Sequence, residues 1–319
     1  MRAFARFAWF VLAYDVLVVV WGAFVRATGS GAGCGRHWPT CHGAVVPRSP
    51  AADTVIEFVH RATSGIALLL VVALLVWAFR AFPRGHAARA ASAAALAFMI
   101  AEAAVGAGLV LFGWVARDTS AARGWVMAVH LVNTFLLLGS LAVVAFAAGR
   151  PVGLDPRGRG AAGGLLVAGL AALLVAGVSG AIAALGDTLF PEVHFAEGLR
   201  LEGEATLLLR LRILHPFAAV AAGAVALLAA RLAARARPDP TVRALASVVS
   251  ALVAVEILAG AVNVLLAAPV ALQLVHLVLA DGLWIALVLL SATSLAPGTA
   301  PEKERPGLGP GLASIAGSR

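Results

Sequence analysis

The segment Glu57-Phe58-Val59-His60-Arg61 stands directly before the long apolar run 62–79. It places a carboxylate, an imidazole and a guanidinium within about one helical turn, where the chain enters a predicted membrane span. Glu57 and His60 lie three positions apart, so on a helix they share one face. Ionisable groups at a bilayer boundary are candidates for function, although anchors that snorkel to the headgroups are the plainer interpretation.

The composition is typical of a helical membrane protein that crosses the bilayer several times. Of 319 residues, 61% are hydrophobic and only 13% are charged, and the mean hydropathy is +0.96. A soluble domain does not have this balance. The net charge of +8 therefore calls for a topological explanation first, and we expect no nucleic-acid partner.

The apolar stretches predict an all-α integral membrane protein with eight transmembrane helices. A span needs about 20 residues, and the predicted spans are 7–26, 59–79, 91–114, 125–148, 162–185, 213–234, 242–266 and 272–295. Alternate connecting segments, together with both termini, carry 15 of the 24 lysines and arginines. The positive-inside rule then places both termini in the cytoplasm. The tail 297–319 is rich in proline, glycine and charge, and we expect it to be disordered.

Four histidines occupy equivalent positions in this predicted topology. They lie in the first turns of the even-numbered predicted spans, and hence at similar depth near the outer face: His60, His130, His215 and His276. The other four lie in predicted loops, where a solvated histidine needs no special explanation: His37, His42, His86 and His194.

An internal repeat accounts for these equivalent positions. Residues 129–131 and 275–277 both read Val-His-Leu, and a Glu with a Gly-Ala step four residues later occurs at Glu102 and at Glu256. Gly-Ala pairs also recur at 22–23 and 180–181. The repeat predicts two tandem, pseudo-symmetric four-helix bundles, 1–150 and 151–296, each with two histidines on different helices.

Paired histidines on different helices of a bundle can supply both axial ligands of a haem. A structural zinc ion would need four ligands, and a proton relay would not need a duplicated pair. For any one histidine, a hydrogen-bonding role in the core is the plainer alternative. For the four together, haem ligation is our prediction.

The two predicted halves differ beside their first histidine. Glu57 precedes His60 by three residues, whereas Arg212 precedes His215. An acid beside a haem can act as a base, a proton carrier or a stabiliser of positive charge, while a guanidinium suits haem propionates. This asymmetry predicts one catalytic and one electron-carrying site. The alternative is two relay haems, with Glu57 simply paired to Arg61.

Other polar residues of the spans and loops are further candidates. Cys34 and Cys41 lie close together in a Gly-rich outer loop, 27–56, and predict a disulfide. With His37 and His42 they offer a Cys2His2 metal site as an alternative of unusual spacing. Four acids fall inside predicted spans: Asp15, Glu102, Glu256 and Asp281. For Glu102 and Glu256 we predict hydrogen bonds across helices, with a proton path as the weaker alternative.

Up to about residue 295, the chain resembles the haem A synthase family, membrane enzymes that make haem A from haem O. The resemblance rests on the segment 22–30, which leads into the loop Cys34…Trp38-Pro39…Cys41, and on Glu57-x-x-His60-Arg61 with three later histidines. Some members carry a second cysteine pair between spans five and six. The corresponding segment here, 187–212, contains none.

The resemblance implies a division of labour between the halves. The half 1–150 would bind the substrate haem O, and the half 151–296 would hold a haem b cofactor. Glu57 would assist oxidation of a ring methyl group to a formyl group, by way of a hydroxymethyl intermediate. The implied iron ligands are His60 and His130 for haem O, and His215 and His276 for haem b. Arg61, Arg212 and Arg26 are candidates for the propionates or auxiliary roles.

The resemblance also implies partners and a location. Haem O synthase is the expected donor of the substrate, and a haem-copper oxidase or its assembly factors would receive the product. The electron acceptor is not identified, and a homo-oligomer is left open. We expect a multi-pass protein of the cell membrane with its haem sites toward the extracytoplasmic face. The alternative function is a non-enzymatic dihaem electron-transfer protein; a transporter would need more polar span interiors.

Overall fold

The protein is all-helical in the residues that its structure, a computed structural model, describes. These are 1–48, 50–149, 160–190 and 205–296, with the backbone alone for 205–211. The helices of these ranges are α1 (Arg2–Ala27), α2 (Ala52–Ala81), α3 (Ala87–Leu111), α4 (Ala121–Ala147), α5 (Gly160–Leu189), α6 (Ala205–Ala236), α7 (Pro240–Leu265) and α8 (Val270–Leu295), with a 3₁₀ turn at Ser30–Ala32. The predicted tail 297–319 and His194 lie outside the described residues.

All eight described helices are long and apolar enough to cross a membrane. This confirms the predicted class, a multi-pass α-helical membrane protein. Large apolar side chains also lie on the outside of the bundle, where lipid rather than water would surround them; Leu69 is 69% exposed and Phe217 is 72% exposed. Such exposure would be unfavourable for a soluble protein and is ordinary for a membrane protein.

The helices begin earlier than the apolar stretches alone indicate. His276 is six residues past Val270, and His215 is ten residues past Ala205, which correspond to about 9 and 15 Å along a helix axis. The histidines therefore lie two to three turns inside their helices, deeper than the first turns in which the predicted spans placed them. In α2 and α4, polar residues of the first turn made the helix start before the apolar run on which the prediction was based.

The third predicted span extended too far at its end. It was expected to run to residue 114, but α3 ends at Leu111. The chain turns at Gly113, whose φ is +74°, and the backbone N–H of Trp114 donates to the Leu109 carbonyl at 2.9 Å. Apolar residues continue through this turn, so hydropathy could not locate it.

Side-chain caps fix the starts of several helices. Asp239 accepts from the backbone N–H groups of Thr241 and Val242 at the start of α7, where Pro240 occupies the first turn. His86 caps α3 by accepting from the Ala88 N–H at 3.2 Å, and its ring stacks on Phe82 at 4.3 Å. His86 is only 5% exposed, so the prediction of a solvated loop histidine was wrong.

The central helices are α4 and α8. In the apolar segment of each helix, 56% of the residues of α4 and 44% of those of α8 are buried, compared with 17–28% in the other six described spans. The rings of Phe135 on α4 and Trp284 on α8 stack at 5.1 Å, and the indole N–H of Trp284 donates to the Phe135 carbonyl at 2.5 Å. This contact joins the segment before residue 150 to the segment after it.

Candidate functional site

Two of the predicted histidines pack against glycines on a neighbouring helix. A Cβ atom added at Gly22 of α1 would lie 2.8 Å from Cε1 of His60, and one at Gly180 of α5 would lie 2.9 Å from Cε1 of His215. Only glycine leaves room for an imidazole at such a distance. The Gly-Ala pairs that the sequence repeat singled out thus provide the space for these two rings.

The rings of His215 on α6 and His276 on α8 face each other. Their centroids are 6.3 Å apart, and the ring planes are inclined by 74°. Bonds of about 2 Å from a metal to imidazole nitrogens on its two opposite sides place the ring centroids roughly 6 Å apart. The pair therefore fits two axial ligands of one haem iron.

The four histidines have different partners at Nδ1. Nδ1 of His130 contacts Oε2 of Glu102, and Nδ1 of His276 lies 3.2 Å from Oε2 of Glu256. Nδ1 of His215 lies 3.1 Å from the Ser179 hydroxyl. The two carboxylate contacts are ion-pair contacts without regular hydrogen-bond geometry, and buried Nδ1 of His60 has neither a carboxylate contact nor a hydrogen bond among the described residues. Because the named partners occupy Nδ1, Nε2 of those rings is the nitrogen left for a metal.

Glu102 is held in place by α4 as well. Its Oε1 accepts hydrogen bonds from the Asn133 amide at 2.8 Å and from the Thr134 hydroxyl at 2.9 Å. These bonds confirm the predicted cross-helix role of Glu102. Asp15 and Asp281 are 2% and 0% exposed, so they too face the interior of the bundle.

Glu57 is a buried carboxylate with both oxygens engaged. It is 3% exposed. Oε2 accepts from the backbone N–H of Cys34 at 2.7 Å, and Oε1 accepts from the Arg61 guanidinium. The predicted pairing of Glu57 with Arg61 is therefore present, and the loop adds a second partner.

The outer loop is fastened onto the start of α2. Cys34 and Cys41 form the predicted disulfide, which uses both sulfurs and so removes the alternative of a Cys2His2 metal site. Arg61 donates to the carbonyls of His37 and Thr40 at 2.5 and 2.7 Å. The Thr54 hydroxyl donates to the Gly33 carbonyl at 2.6 Å. One face of α2 thus holds Glu57 and the loop together.

The other two arginine candidates bind protein groups in this structure. Arg212 is 5% exposed and pairs with Asp187 of α5 at 3.1 Å. Arg26 of α1 donates to three groups that belong to α5 and α8: the Ala184 carbonyl at 2.7 Å, the Thr188 hydroxyl at 2.6 Å and the Gln273 side chain at 2.9 Å. Arg26 thus joins the two halves of the chain.

Some residues of the site were not predicted. Ser179 lies beside His215, and Asn133 and Thr134 bind Glu102. Arg123, at the start of α4, is 3% exposed and donates to the carbonyls of Ala116 and Asp118. Arg123 lies in the first turn of α4, whose N-cap is Ser120, and an arginine just before the predicted span 125–148 was a signal for it. The three small polar residues had none, because serine and threonine are ordinary in membrane helices.

A comparison with protein families decides the relationship. The model of the COX15-CtaA family, described as a cytochrome oxidase assembly protein, matches residues 5–288. The chain belongs to the COX15-CtaA family. This agrees with the resemblance to haem A synthases on which the sequence analysis ended.

Proteins that are similar to this chain carry two different names. A "Protoheme IX farnesyltransferase" of Thermus thermophilus is 50% identical over 296 residues, which are 92% of this chain and 49% of that protein. A "Heme A synthase" of Alkalihalophilus pseudofirmus is 36% identical over 142 residues, 44% of this chain and 46% of that protein. One from an Exiguobacterium species is 34% identical over 143 residues, 45% of each chain. The chain spans about half the length of these curated relatives.

Proposed function

We propose that the protein is a haem A synthase, which oxidises a ring methyl group of haem O to a formyl group by way of a hydroxymethyl intermediate. The observation that carries this proposal is the unequal chemistry beside the histidines. Glu57 lies one turn before His60, is buried and accepts from the Cys34 N–H, whereas Arg212 lies one turn before His215 and pairs with Asp187. A protein that only relays electrons would not need this difference between its two histidine sites. Relatives named "Heme A synthase" support the same assignment.

The two histidine pairs would hold two different haems. His60 and His130 would bind the substrate haem O, and His215 and His276 would bind haem b as the resident cofactor. The 6.3 Å separation of the latter two rings fits axial ligands. When bound, haem b supplies one-electron transfer. We assign the haem propionates to the guanidinium groups of Arg61, Arg212 and Arg26.

Glu57 would act through its charge. Because Oε1 and Oε2 both accept hydrogen bonds, the carboxyl group is held in one orientation. A fixed charge stabilises positive charge that develops on the substrate during oxidation of the methyl carbon. Arg61 and the Cys34 N–H would keep this carboxylate in position, so the outer loop would contribute to the site.

The membrane arrangement that we propose follows the charge pattern. Both termini would lie in the cytoplasm, and the disulfide loop and histidine sites would face the extracytoplasmic side of the cell membrane. The halves 1–150 and 151–296 would be pseudo-symmetric. The equivalent contacts of Gly22 with His60 and of Gly180 with His215 support this relation.

Partners follow from the chemistry of substrate and product. A farnesylating haem O synthase would supply haem O, and the name of the Thermus thermophilus relative, only 49% of which this chain covers, supports a close link between the two activities. A haem-copper oxidase or its assembly factors would take the product, in line with the family description. A separate acceptor would remove the electrons.

Histidine variants test the assignment of the two halves. The wild-type chain, purified from a host that makes haem b and haem O, is expected to carry haem b together with haem O or its oxidised products. His215→Ala and His276→Ala should lose haem b and the oxidised products while retaining haem O. His60→Ala and His130→Ala should retain haem b alone. The same loss from all four variants would contradict a substrate half and a cofactor half.

A further inference from the structure

Each candidate haem site pairs one histidine with a glutamate from the preceding helix. Glu102 of α3 contacts Nδ1 of His130 on α4, and Glu256 of α7 lies 3.2 Å from Nδ1 of His276 on α8. The carboxylate side chains are 14% and 15% exposed. Placing a carboxylate inside a membrane span is costly, so a matching pair of them calls for a specific role.

We propose that Glu102 and Glu256 are positioning residues that set the electron-donating strength of one axial ligand at each haem. A carboxylate at Nδ1 keeps the proton on that nitrogen and leaves Nε2 for iron. It also makes the imidazole a more basic ligand. Both the added basicity and the negative charge stabilise ferric over ferrous iron, so each glutamate lowers the midpoint potential of its haem. This inference rests on the haem ligation proposed above.

The other ligand of each pair lacks such a partner. Nδ1 of His60, like that of His130 and His276, makes no hydrogen bond of regular geometry among the described residues, but it also has no carboxylate contact such as those of His130 and His276; Nδ1 of His215 is beside the neutral hydroxyl of Ser179. Each haem would therefore have one strongly donating ligand on α4 or α8 and one weaker ligand on α2 or α6. We therefore expect the glutamates to change the midpoint potentials of the two haems more than Ser179 does.

The two glutamates differ in how firmly they are held. Oε1 of Glu102 accepts from both Asn133 and Thr134, which leaves Oε2 directed at His130. Within the described ranges Glu256 has no comparable hydrogen-bonded support, and its contact with the ring is at 3.2 Å. The effect on the potential should consequently be larger at the site of His130 than at the site of His276.

Redox titration of the purified, haem-loaded protein tests this inference. Glu102→Gln should raise the midpoint potential of the haem on His130, and Glu256→Gln should raise that of the haem on His276 by less. Glu102→Asp, which keeps the charge, should restore part of the shift. Ser140→Ala is the matched control, because the Ser140 hydroxyl of α4 donates only to the Leu136 carbonyl; it should leave both potentials unchanged.

A second variant covers the case in which Glu102→Gln does not fold. Thr134→Val keeps the carboxylate but removes one of its two supports, and should give a smaller upward shift at the same haem. Retained haem with unchanged potentials in Glu256→Gln and Thr134→Val would overturn the inference and leave the proposed function intact. A wild-type protein without histidine-bound haem would overturn both.

Discussion

The backbone N–H of Cys34 donates a hydrogen bond of 2.7 Å to Oε2 of Glu57. This bond links one half-cystine of the outer loop to the buried acid of α2. Arg61 closes the arrangement, because it binds the other oxygen of Glu57 and the carbonyls of His37 and Thr40. The disulfide, the loop and the acid therefore form one structural unit next to His60.

Replacing Glu57 separates catalysis from haem binding. Glu57→Gln keeps the shape and an acceptor for the Cys34 N–H but removes the charge, so conversion of haem O should fall by about 100-fold or more. The ratio of haem to protein should remain near that of the wild type. Chromatography of the extracted haems measures both quantities.

Asp53 offers a matched control for Glu57. It lies one turn earlier on α2, is exposed, and accepts from the N–H of its neighbour Thr54. Asp53→Asn should convert haem O at the wild-type rate. Equal conversion of haem O by Glu57→Gln and the wild type would contradict a catalytic role for Glu57.

The disulfide should stabilise the loop by a modest amount. Cys34 and Cys41 are seven residues apart, and closing so small a loop contributes about 2–3 kcal/mol in the chain-entropy model. The double variant Cys34→Ser/Cys41→Ser should therefore unfold at a lower temperature in detergent. Reductant should lower the Tm of the wild type and leave that of the double variant unchanged. An equal effect of reductant on both proteins would show that the disulfide is not responsible.

Two glycines should be required for the histidine sites. Gly22→Ala should reduce binding of the first-half haem, and Gly180→Ala that of haem b, because the new methyl groups would lie 2.8 and 2.9 Å from the imidazoles. Overpacking of this kind costs about 1–3 kcal/mol. The type and amount of haem extracted from each variant provide the measurement.

Gly65 of α2 is the control for these substitutions. A Cβ atom at Gly65 would meet nothing within 4 Å, so Gly65→Ala should keep the full haem content. Loss of haem from Gly65→Ala to the same extent as from Gly22→Ala would mean that the effect is not local to His60.

Arg26 should hold the two halves together. It donates to the Ala184 carbonyl, Thr188 and Gln273, and hydrogen bonds from a charged group contribute about 1.5–3 kcal/mol each. Arg26→Gln should lower the Tm of the haem-free protein by several degrees. Arg48→Gln removes an exposed arginine of the outer loop and should not. Equal Tm values for the two variants would contradict the bridging role.

Hydropathy was sufficient to predict the membrane class and the eight helices of the described residues. The number of spans depends on runs of about 20 apolar residues, and these are unmistakable here. The ends of the helices were harder to predict from the sequence. Polar first turns extended α2 and α4 upstream of their apolar runs, and the turn at Gly113 is surrounded by apolar residues.

The site was partly predictable for a different physical reason. Repeated spacing identified the four histidines, Glu102 and Glu256, because each has a counterpart in the other half. Arg26 has no such counterpart, and the partners that the structure gives it lie more than 150 residues away, beyond the reach of any local pattern. Burial of His86 by Phe82 was missed because a single histidine next to a loop carries no signal of its own.

The most direct test of the account is chromatography of the haems extracted from a host that makes haem O but no haem A, with this chain expressed in its membranes. The account predicts that haem A or its hydroxymethyl precursor appears with the wild-type chain and is absent with Glu57→Gln. Folded wild-type protein that carries haem b, in membranes where haem O stays unchanged although oxidant is present, would contradict it.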